Sequence, residues 1–186
     1  IKRLAQQGKD PLDGPLRLGV IYTIGPYLLP HLIPALRKRA PRMPLLIAES
    51  FTADLSERLR HGELDVIVIS LPFAEAGIVT RPLYDEAFVV AMPANHAWAG
   101  KKSIKAVDLP AENLLLLGSG HCFRDQVLKV CPALNRSSRA GSGSMQQTLE
   151  GSSLETIRHM VASGAGITVL PCSSAAGGGS EKKLLA

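Results

Sequence analysis

The sequence predicts an α/β fold built on mainly parallel sheet, and two observations indicate it. Strand-like and helix-like segments alternate over residues 16–71, and parallel strands need helical crossovers of this kind. The run "LDVIVISL" (64–71) is continuously apolar and rich in β-branched residues. Such a run is typical of a parallel strand covered on both faces.

The first half contains a β-α-β-α-β pattern. "LRLGVI" (16–21), "MPLLIAESF" (43–51) and "LDVIVISL" are the strands, and "GPYLLPHLIPALRKRA" and "TADLSERLRHG" are the helices between them. Pro30 and Pro34 predict that the first regular helix begins later than Pro26, because proline is comfortable only in a first turn. Gly62 predicts the end of the second helix.

The second half has a different rhythm. "IVTRPLYDEAFVVAMP" (78–93) predicts two extended segments, along which the chain crosses into a second lobe. "NLLLLGSG" and "GITVLP" are short buried strands, and "SSLETIRHMVASGAG" is a helix with a capping box of Ser152 and Glu155. Residues 135–151 predict a loop or a weak edge strand, and "SSAAGGGS" (173–180) predicts a flexible excursion.

The composition is that of a globular protein. Of 186 residues, 46% are hydrophobic and 20% are charged, and no apolar run approaches the ~20 residues needed to cross a membrane. Three cysteines are too few for a secreted disulfide framework, so a cytoplasmic location is expected. The net charge of +5 is concentrated in "RKRAPR" and "KKSIK", which we interpret as solvated surface. Because the chain begins at Ile1, we expect it to be a fragment of a longer protein.

Two of the three cysteines stand in "GHCFRDQVLKVC" (120–131), which has the pattern of one short helix. Nine helical residues rise roughly 13 Å, and nine steps of about 100° turn two side chains to opposite sides. A disulfide needs Cα atoms within about 7 Å of each other. Cys122 and Cys131 therefore cannot bond while the helix is intact, and a bond between them would require this segment to refold.

The surroundings of Cys122 are expected to favour its thiolate, the form that attacks peroxides. Cys122 stands at the N-terminal end of the predicted helix, where unpaired N–H groups carry partial positive charge. His121 and Arg124 add donors, whereas Asp125 opposes them unless Arg124 engages it. Cys131, in the apolar "VLKVCPAL", is expected to be a buried, inert thiol. This arrangement could convert a sulfenic acid into a reversible disulfide.

On the residues alone, other interpretations of the cysteines stay open. Both could be small core residues with no redox role. A zinc site of His121, Cys122 and Cys131 is disfavoured, because these ligands do not converge and C-x-x-C pairing is absent. We therefore predict neither a metal nor another cofactor, and we interpret Cys172, in "LPCSS", as incidental.

The cysteine segment nevertheless has a specific resemblance. "GHCFRDQ", with a second cysteine nine residues on, resembles the sensor segment of the peroxide-responsive LysR-type transcriptional regulators. The resemblance extends over about 14–171 and is weakest across 133–150. Its other blocks are "GPLRLGVIYTIGPYLLPHLIPAL", "HGELDVIVISL", "LYDEAFVVAMPANHAWA" and "SSLETIRHMVASGAGITVLP".

The resemblance implies a periplasmic-binding-protein-like (type II) domain of two lobes around a cleft. The implied domains are a linker remnant at 1–13, lobe I at 14–84 and lobe II, with the redox cysteines, at 85–186. The DNA-binding winged helix-turn-helix would precede this region. The C-terminal return into lobe I, with the second crossing and an arginine near the cleft, is missing from the pattern.

The resemblance also implies roles for individual residues. Cys122 would be the peroxide-reactive cysteine and Cys131 the resolving one. Thr23, in "IYTIGP", and Thr52, in "ESFTAD", would help to hold peroxide together with His121. Both threonines follow predicted parallel strands, and the carboxyl ends of such strands are where open α/β sheets build ligand sites.

The function implied is stoichiometric sensing of hydrogen peroxide by a homo-oligomer, a dimer of this domain and a tetramer in the full-length regulator. DNA and RNA polymerase would be contacted only through the full-length protein, and a reductant of the glutaredoxin or thioredoxin type would reset the switch. The alternatives are an effector domain that binds an organic ligand and has passive cysteines, a thiol peroxidase enzyme, and a secreted solute-binding protein. The last of these lacks an export signal here.

Overall fold

The computed structural model describes residues 12–134, 149–175 and 181–185, the last of these as backbone only. The chain divides into two compact units, Ile1–Leu71 and Pro72–Ala186. In the described part of the chain no helix is long and apolar enough to span a bilayer.

The first unit is a parallel α/β unit, which confirms the predicted β-α-β-α-β order. Its three-stranded sheet has the order β2-β1-β3, and both pairings are parallel. The elements are β1 (Leu16–Ile21), α1 (Gly25–Arg39), β2 (Leu45–Ser50), α2 (Thr52–Arg60) and β3 (Val66–Val68).

Helix α1 begins earlier than predicted. It starts at Gly25 and includes both Pro30 and Pro34 in its interior, so the expected delay beyond Pro26 is wrong. Each interior proline removes one backbone hydrogen bond. The three prolines are four residues apart and all exposed, so water can reach the carbonyl groups that they leave without a donor.

Helix α2 lies close against β1 because β1 contains a glycine. Leu55 of α2 is fully buried. A Cβ atom at Gly19 would come within 2.9 Å of Leu55 Cδ2 and 2.8 Å of Leu64 Cδ1, so any larger residue would require these leucine side chains to shift. The close packing fixes the N-terminal end of α2 beside the end of the sheet.

The expectation that "LDVIVISL" is covered on both faces is wrong. Strand β3 contains only Val66–Val68 and forms an edge of the three-stranded sheet, and the Val66 side chain is 41% exposed. The central strand of this sheet is β1, where Val20 is completely buried.

The second unit is a six-stranded mixed sheet with the order β5-β9-β4-β8-β6-β7. Strand β4 pairs antiparallel with β8 and β9, and the other pairs are parallel. The elements are β4 (Phe88–Met92), β5 (Ser103–Ile104), a 3₁₀ helix (Ala106–Ala111), β6 (Leu114–Leu117), α3 (Cys122–Val130), β7 (Leu149–Gly151), α4 (Leu154–Ala162), β8 (Ile167–Pro171), a second 3₁₀ helix (Cys172–Ala175) and β9 (Glu181–Leu185).

Two details of the second unit differ from the sequence prediction. Residues 78–93, predicted as two extended segments, contain one strand, β4, and residues 78–87 lie in no helix or strand. Helix α4 is capped by Ser153 instead of Ser152: the Ser153 Oγ accepts a hydrogen bond from the Thr156 N–H at 3.4 Å. Glu155 consequently forms no capping box with Ser152 and pairs with Arg158 at 2.7 Å.

Some predicted segments lie partly outside the described residues. The predicted loop or edge strand is described only from Leu149, where β7 forms an edge of the sheet next to β6. Residues 1–11, 135–148 and 176–180 are not described, and they include most of the linker remnant and of the "SSAAGGGS" patch. The predicted lobe boundary between 84 and 85 stays a prediction.

Candidate functional site

Cys122 is the first residue of α3, immediately after a tight turn that follows β6. The turn includes Gly120, whose φ of 94° lies in the left-handed region that favours glycine. Strand β6 is buried along its whole length and anchors the turn. Cys122 is partly exposed and carries a free thiol. The structure thus presents this sulfur at a helix N-terminus, as predicted.

Cys131 lies at the opposite end of the same helix, as its C-cap residue. Its side chain is 2% exposed, and its Sγ–H donates a hydrogen bond to the Ala106 carbonyl oxygen at 2.6 Å. Burial raises the pKa of the Cys131 thiol, which favours its protonated form over the thiolate. The expected burial of this thiol is confirmed, and its expected inertness stays a prediction.

One continuous helix separates the two sulfurs. Helix α3 contains Cys122–Val130 without a break, and both cysteines are free. Nine residues at about 1.5 Å of rise place the two Cα atoms roughly 13 Å apart, about twice the limit for a disulfide. Cys131 shares the buried side of the helix with Phe123 and Val127. The expected separation is therefore confirmed. Among the described residues no group of three histidine, cysteine or acidic side chains could hold a metal ion.

His121 is the N-cap residue of α3 and is only 6% exposed. Burial lowers its pKa below the ordinary value of 6.5, although a hydrogen bond to the Ser152 carbonyl partly opposes this effect. The imidazole is therefore neutral at pH 7. Its Nε2 lies 3.1 Å from the Ser152 oxygen, and because a carbonyl can only accept, Nε2 carries the proton in this contact. The Nε2–H group of His121 therefore points to Ser152, two residues before α4 begins.

Arg124 connects α3 to two strands. Its Nη1 donates to the Leu117 carbonyl of β6 at 2.6 Å, and its Nη2 lies 2.7 Å from Glu150 Oε1 of β7. The carboxylate partner of Arg124 is therefore Glu150, and Asp125 is exposed on the first turn of α3. The predicted influence of Arg124 and Asp125 on the Cys122 thiolate stays a prediction.

Thr23 and Thr52 lie together at one end of the first sheet. Ile21 of β1 is paired with Ser50 of β2, and each threonine follows its strand end by two residues. Thr23 is 5% exposed, and Thr52 is the first residue of α2. Their expected position at the carboxyl ends of parallel strands is confirmed. Their expected role in holding peroxide stays a prediction.

Sequence reasoning missed the groups that hold α3 in place. They are Glu150, Leu117, Ser152 and Ala106, and three of the four act through backbone carbonyl groups. Every residue has a backbone carbonyl group, so the identity of a residue does not reveal that its carbonyl accepts such a bond. Glu150 follows a stretch without apolar periodicity, so nothing in the sequence aligned it with Arg124.

Comparison with known proteins identifies the family of this chain. The LysR substrate binding domain matches residues 9–184. The chain belongs to that family. This LysR substrate binding domain has the type II periplasmic-binding-protein-like α/β fold, so the predicted fold class is confirmed. Helices accompany both its parallel three-stranded sheet and its mixed six-stranded sheet.

Individual relatives are similar over most of the chain. This domain is 38% identical over 172 residues to the Escherichia coli K12 DNA-binding transcriptional dual regulator OxyR, covering 92% of the chain and 54% of the relative. The reduced form of the OxyR regulatory domain from Pseudomonas aeruginosa is 53% identical, with a TM-score of 0.80 and coverage of 94% of this chain and 80% of that one.

A structure of an oxidised form of OxyR is also similar. It is 34% identical, with a TM-score of 0.73 and coverage of 93% of this chain and 80% of that one. The domain spans about half the length of the curated relatives that it matches. The resemblance found from the "GHCFRDQ" segment is confirmed at the level of the regulatory domain.

Proposed function

We propose that this domain senses hydrogen peroxide through a reversible Cys122–Cys131 disulfide and thereby switches a LysR-type transcriptional regulator of oxidative-stress genes. One observation carries the proposal: a partly exposed thiol and a buried thiol stand free at opposite ends of one short helix. The names of the relatives support it, since several are called hydrogen peroxide-inducible genes activator.

The chemistry has two steps. The Cys122 thiolate attacks one peroxide oxygen, the O–O bond breaks, and hydroxide leaves and is protonated to water. Cys122 becomes a sulfenic acid in a two-electron oxidation. The Cys131 thiol then displaces water from that sulfenic acid and forms the disulfide. A dithiol reductant of the glutaredoxin or thioredoxin type returns two electrons and restores both thiols.

The second step requires α3 to open, and its contacts determine the cost. A nine-residue helix is marginal alone, so tertiary contacts hold α3 folded. Phe123 packs edge-to-face on Phe88 of β4 with ring centroids 5.2 Å apart, and Val127 is buried beneath the helix. The thiol hydrogen bond of Cys131 must also break. Formation of the S–S bond offsets these losses.

Opening of α3 reaches the neighbouring elements through side-chain contacts. Arg124 contacts Glu150 of β7, and His121 contacts Ser152 immediately before α4. We therefore assign to these two contacts the transmission of oxidation to the rest of the second unit. Thr23 and Thr52 are assigned to peroxide binding, and this assignment rests on the family resemblance.

The partners follow from the family and from the exposed surface. Strand β2 forms an edge of its sheet, and its Leu46 and Ile47 side chains are 56% and 40% exposed. Exposed apolar side chains on an edge strand favour association. We assign this edge strand to the contact within a homo-oligomer, a dimer of this domain within a tetrameric regulator that contacts DNA and RNA polymerase. The free cysteines support a cytoplasmic location.

Thiol counting after one equivalent of hydrogen peroxide tests this proposal. The wild-type chain should lose the thiols of Cys122 and Cys131 together, and dithiothreitol should restore them. Cys131→Ser should stop at a sulfenic acid that dimedone traps, and Cys122→Ser should not react. Cys172→Ser is the matched control and should behave like the wild type, because Cys172 lies outside α3.

The same experiment separates the alternatives. An effector domain for an organic ligand with passive cysteines would keep all its thiols. A thiol peroxidase would consume many peroxide molecules per chain when a reductant is supplied. A stoichiometric sensor consumes one per switching event, and sustained rapid turnover would contradict our proposal.

A further inference from the structure

The C-terminal end of helix α1 has a cluster of exposed positive charges. Arg37, Lys38 and Arg39 form the last turn of the helix, Arg42 follows three residues later, and all four side chains are exposed. We call these four residues the basic cluster. The sequence alone favours a solvated surface here, and the structure adds observations that favour contact with a polyanion.

The basic cluster has more positive charge than its surroundings balance. Cations in the last turn of a helix normally balance the roughly half a negative charge at the helix C-terminus. Arg42 pairs with Asp13 at 2.9 Å, and no ion pair among the described residues includes the other three side chains. A surplus of three positive charges therefore remains, which is several times what the helix end can balance.

Two carboxylates at the same end of the sheet are engaged elsewhere. Strands β1, β2 and β3 are parallel, so the residues that precede them lie at one end of the sheet, where α1 also ends. Asp65, directly before β3, lies 2.6 Å from Arg17, and Glu63 lies 3.4 Å from Arg58. These carboxylates consequently do not neutralise the basic cluster.

The basic cluster lies beside the segment through which the chain enters the first sheet. The Arg42 Nε and Nη2 groups donate to the two carboxylate oxygens of Asp13 at 2.9 Å and 3.0 Å. The Leu16 N–H donates to the Pro44 carbonyl at 2.9 Å. The chain therefore enters the first unit next to the basic cluster, at the end of the strands opposite to the two threonines.

The composition of this surface distinguishes between classes of polyanion. Residues 25–43 are all described, and no large apolar side chain among them is exposed. A helix that binds a membrane surface presents bulky apolar side chains to the bilayer, and a surface for single-stranded nucleic acid presents aromatic rings that stack on bases. A surface of guanidinium and ammonium groups instead suits the phosphates of duplex DNA.

We propose that the basic cluster contacts the phosphate backbone of duplex DNA, so that this regulatory domain itself adds a sequence-independent contact. The choice of DNA rests on the proposed function, in which the full-length regulator binds DNA. A DNA-binding module that precedes this chain is tethered at the end of the first unit where the basic cluster lies.

Fluorescence anisotropy of a labelled duplex of about 20 base pairs and mixed sequence tests this contact, with dithiothreitol present to keep the chain reduced. The logarithm of the binding constant should decrease with the logarithm of the salt concentration at a slope of about −3, because each phosphate contact contributes about −0.9. Lys38→Gln combined with Arg39→Gln should reduce the magnitude of this slope by about two. The same pair should weaken binding more than about tenfold at 50 mM salt.

Lys102→Gln combined with Lys105→Gln is the matched control, because it removes the same charge from two exposed lysines of the second unit. Its affinity and slope should remain close to those of the wild type. No salt-dependent binding by the wild type, equal losses in the two double variants, or binding to phosphatidylserine vesicles without binding to the duplex would overturn this contact. None of these results would affect the proposed function, which is tested separately by thiol loss on oxidation.

Discussion

Loosening α3 should accelerate disulfide formation, and Val127→Ala is the sharpest way to test this. Val127 is 1% exposed and packs under the helix midway between the two cysteines. Alanine removes two buried carbon groups at about 0.8 kcal/mol each, and the cavity left behind raises the cost to about 2 kcal/mol. Since 1.36 kcal/mol is a factor of ten, the opening equilibrium should increase about 30-fold.

The assay is rapid mixing with peroxide, followed by acid quenching, alkylation and mass analysis. Sulfenic acid should form on Cys122 at the wild-type rate, and its condensation with Cys131 should be about 30-fold faster in Val127→Ala. Val161→Ala is the matched control: Val161 is 0% exposed in α4, so the same atoms are lost from the same unit outside α3. A condensation rate in Val127→Ala equal to that of the wild type, or the same acceleration in both variants, would refute the reasoning.

Three further outcomes are expected. Glu150→Gln should speed the condensation of Cys122 sulfenic acid with Cys131 roughly two- to fivefold. The effect is small because Glu150, the ion-pair partner of Arg124, is half exposed, and exposed ion pairs contribute little. Glu155→Gln, which breaks an ion pair within α4, should leave the condensation rate unchanged. The pKa of His121 is lower in the folded chain, so the unfolded chain takes up a proton first as the pH decreases. The urea concentration at the unfolding midpoint should therefore decrease as the pH is lowered from 7 to 5. The decrease should be smaller in His121→Asn. Because burial raises the pKa of Cys131, iodoacetamide at pH 8 should label Cys122 well before Cys131, and equal labelling would contradict that burial.

The sequence predicted the part of the site that depends on helical periodicity. The burial of Cys131 and its distance from Cys122 follow from the spacing of apolar residues within one helix, and the structure shows both. The threonine positions followed from strand ends for the same kind of reason. Local periodicity carries this information because it is set by residues near each other in the chain.

Long-range contacts could not be predicted in this way. Glu150 meets Arg124 only because β7 pairs with β6, and Ala106 accepts the Cys131 thiol through a carbonyl that every residue type possesses. The length of α1 was also underestimated, because local proline chemistry predicts a break that an exposed helix face can avoid.

Hydrogen exchange across α3, measured before and after one equivalent of peroxide, tests the central claim most directly. The reduced chain should protect the amides of Cys122–Val130, and the oxidised chain should lose that protection as the Cys122–Cys131 disulfide forms. A disulfide between these two cysteines with the protection of α3 unchanged would contradict the account.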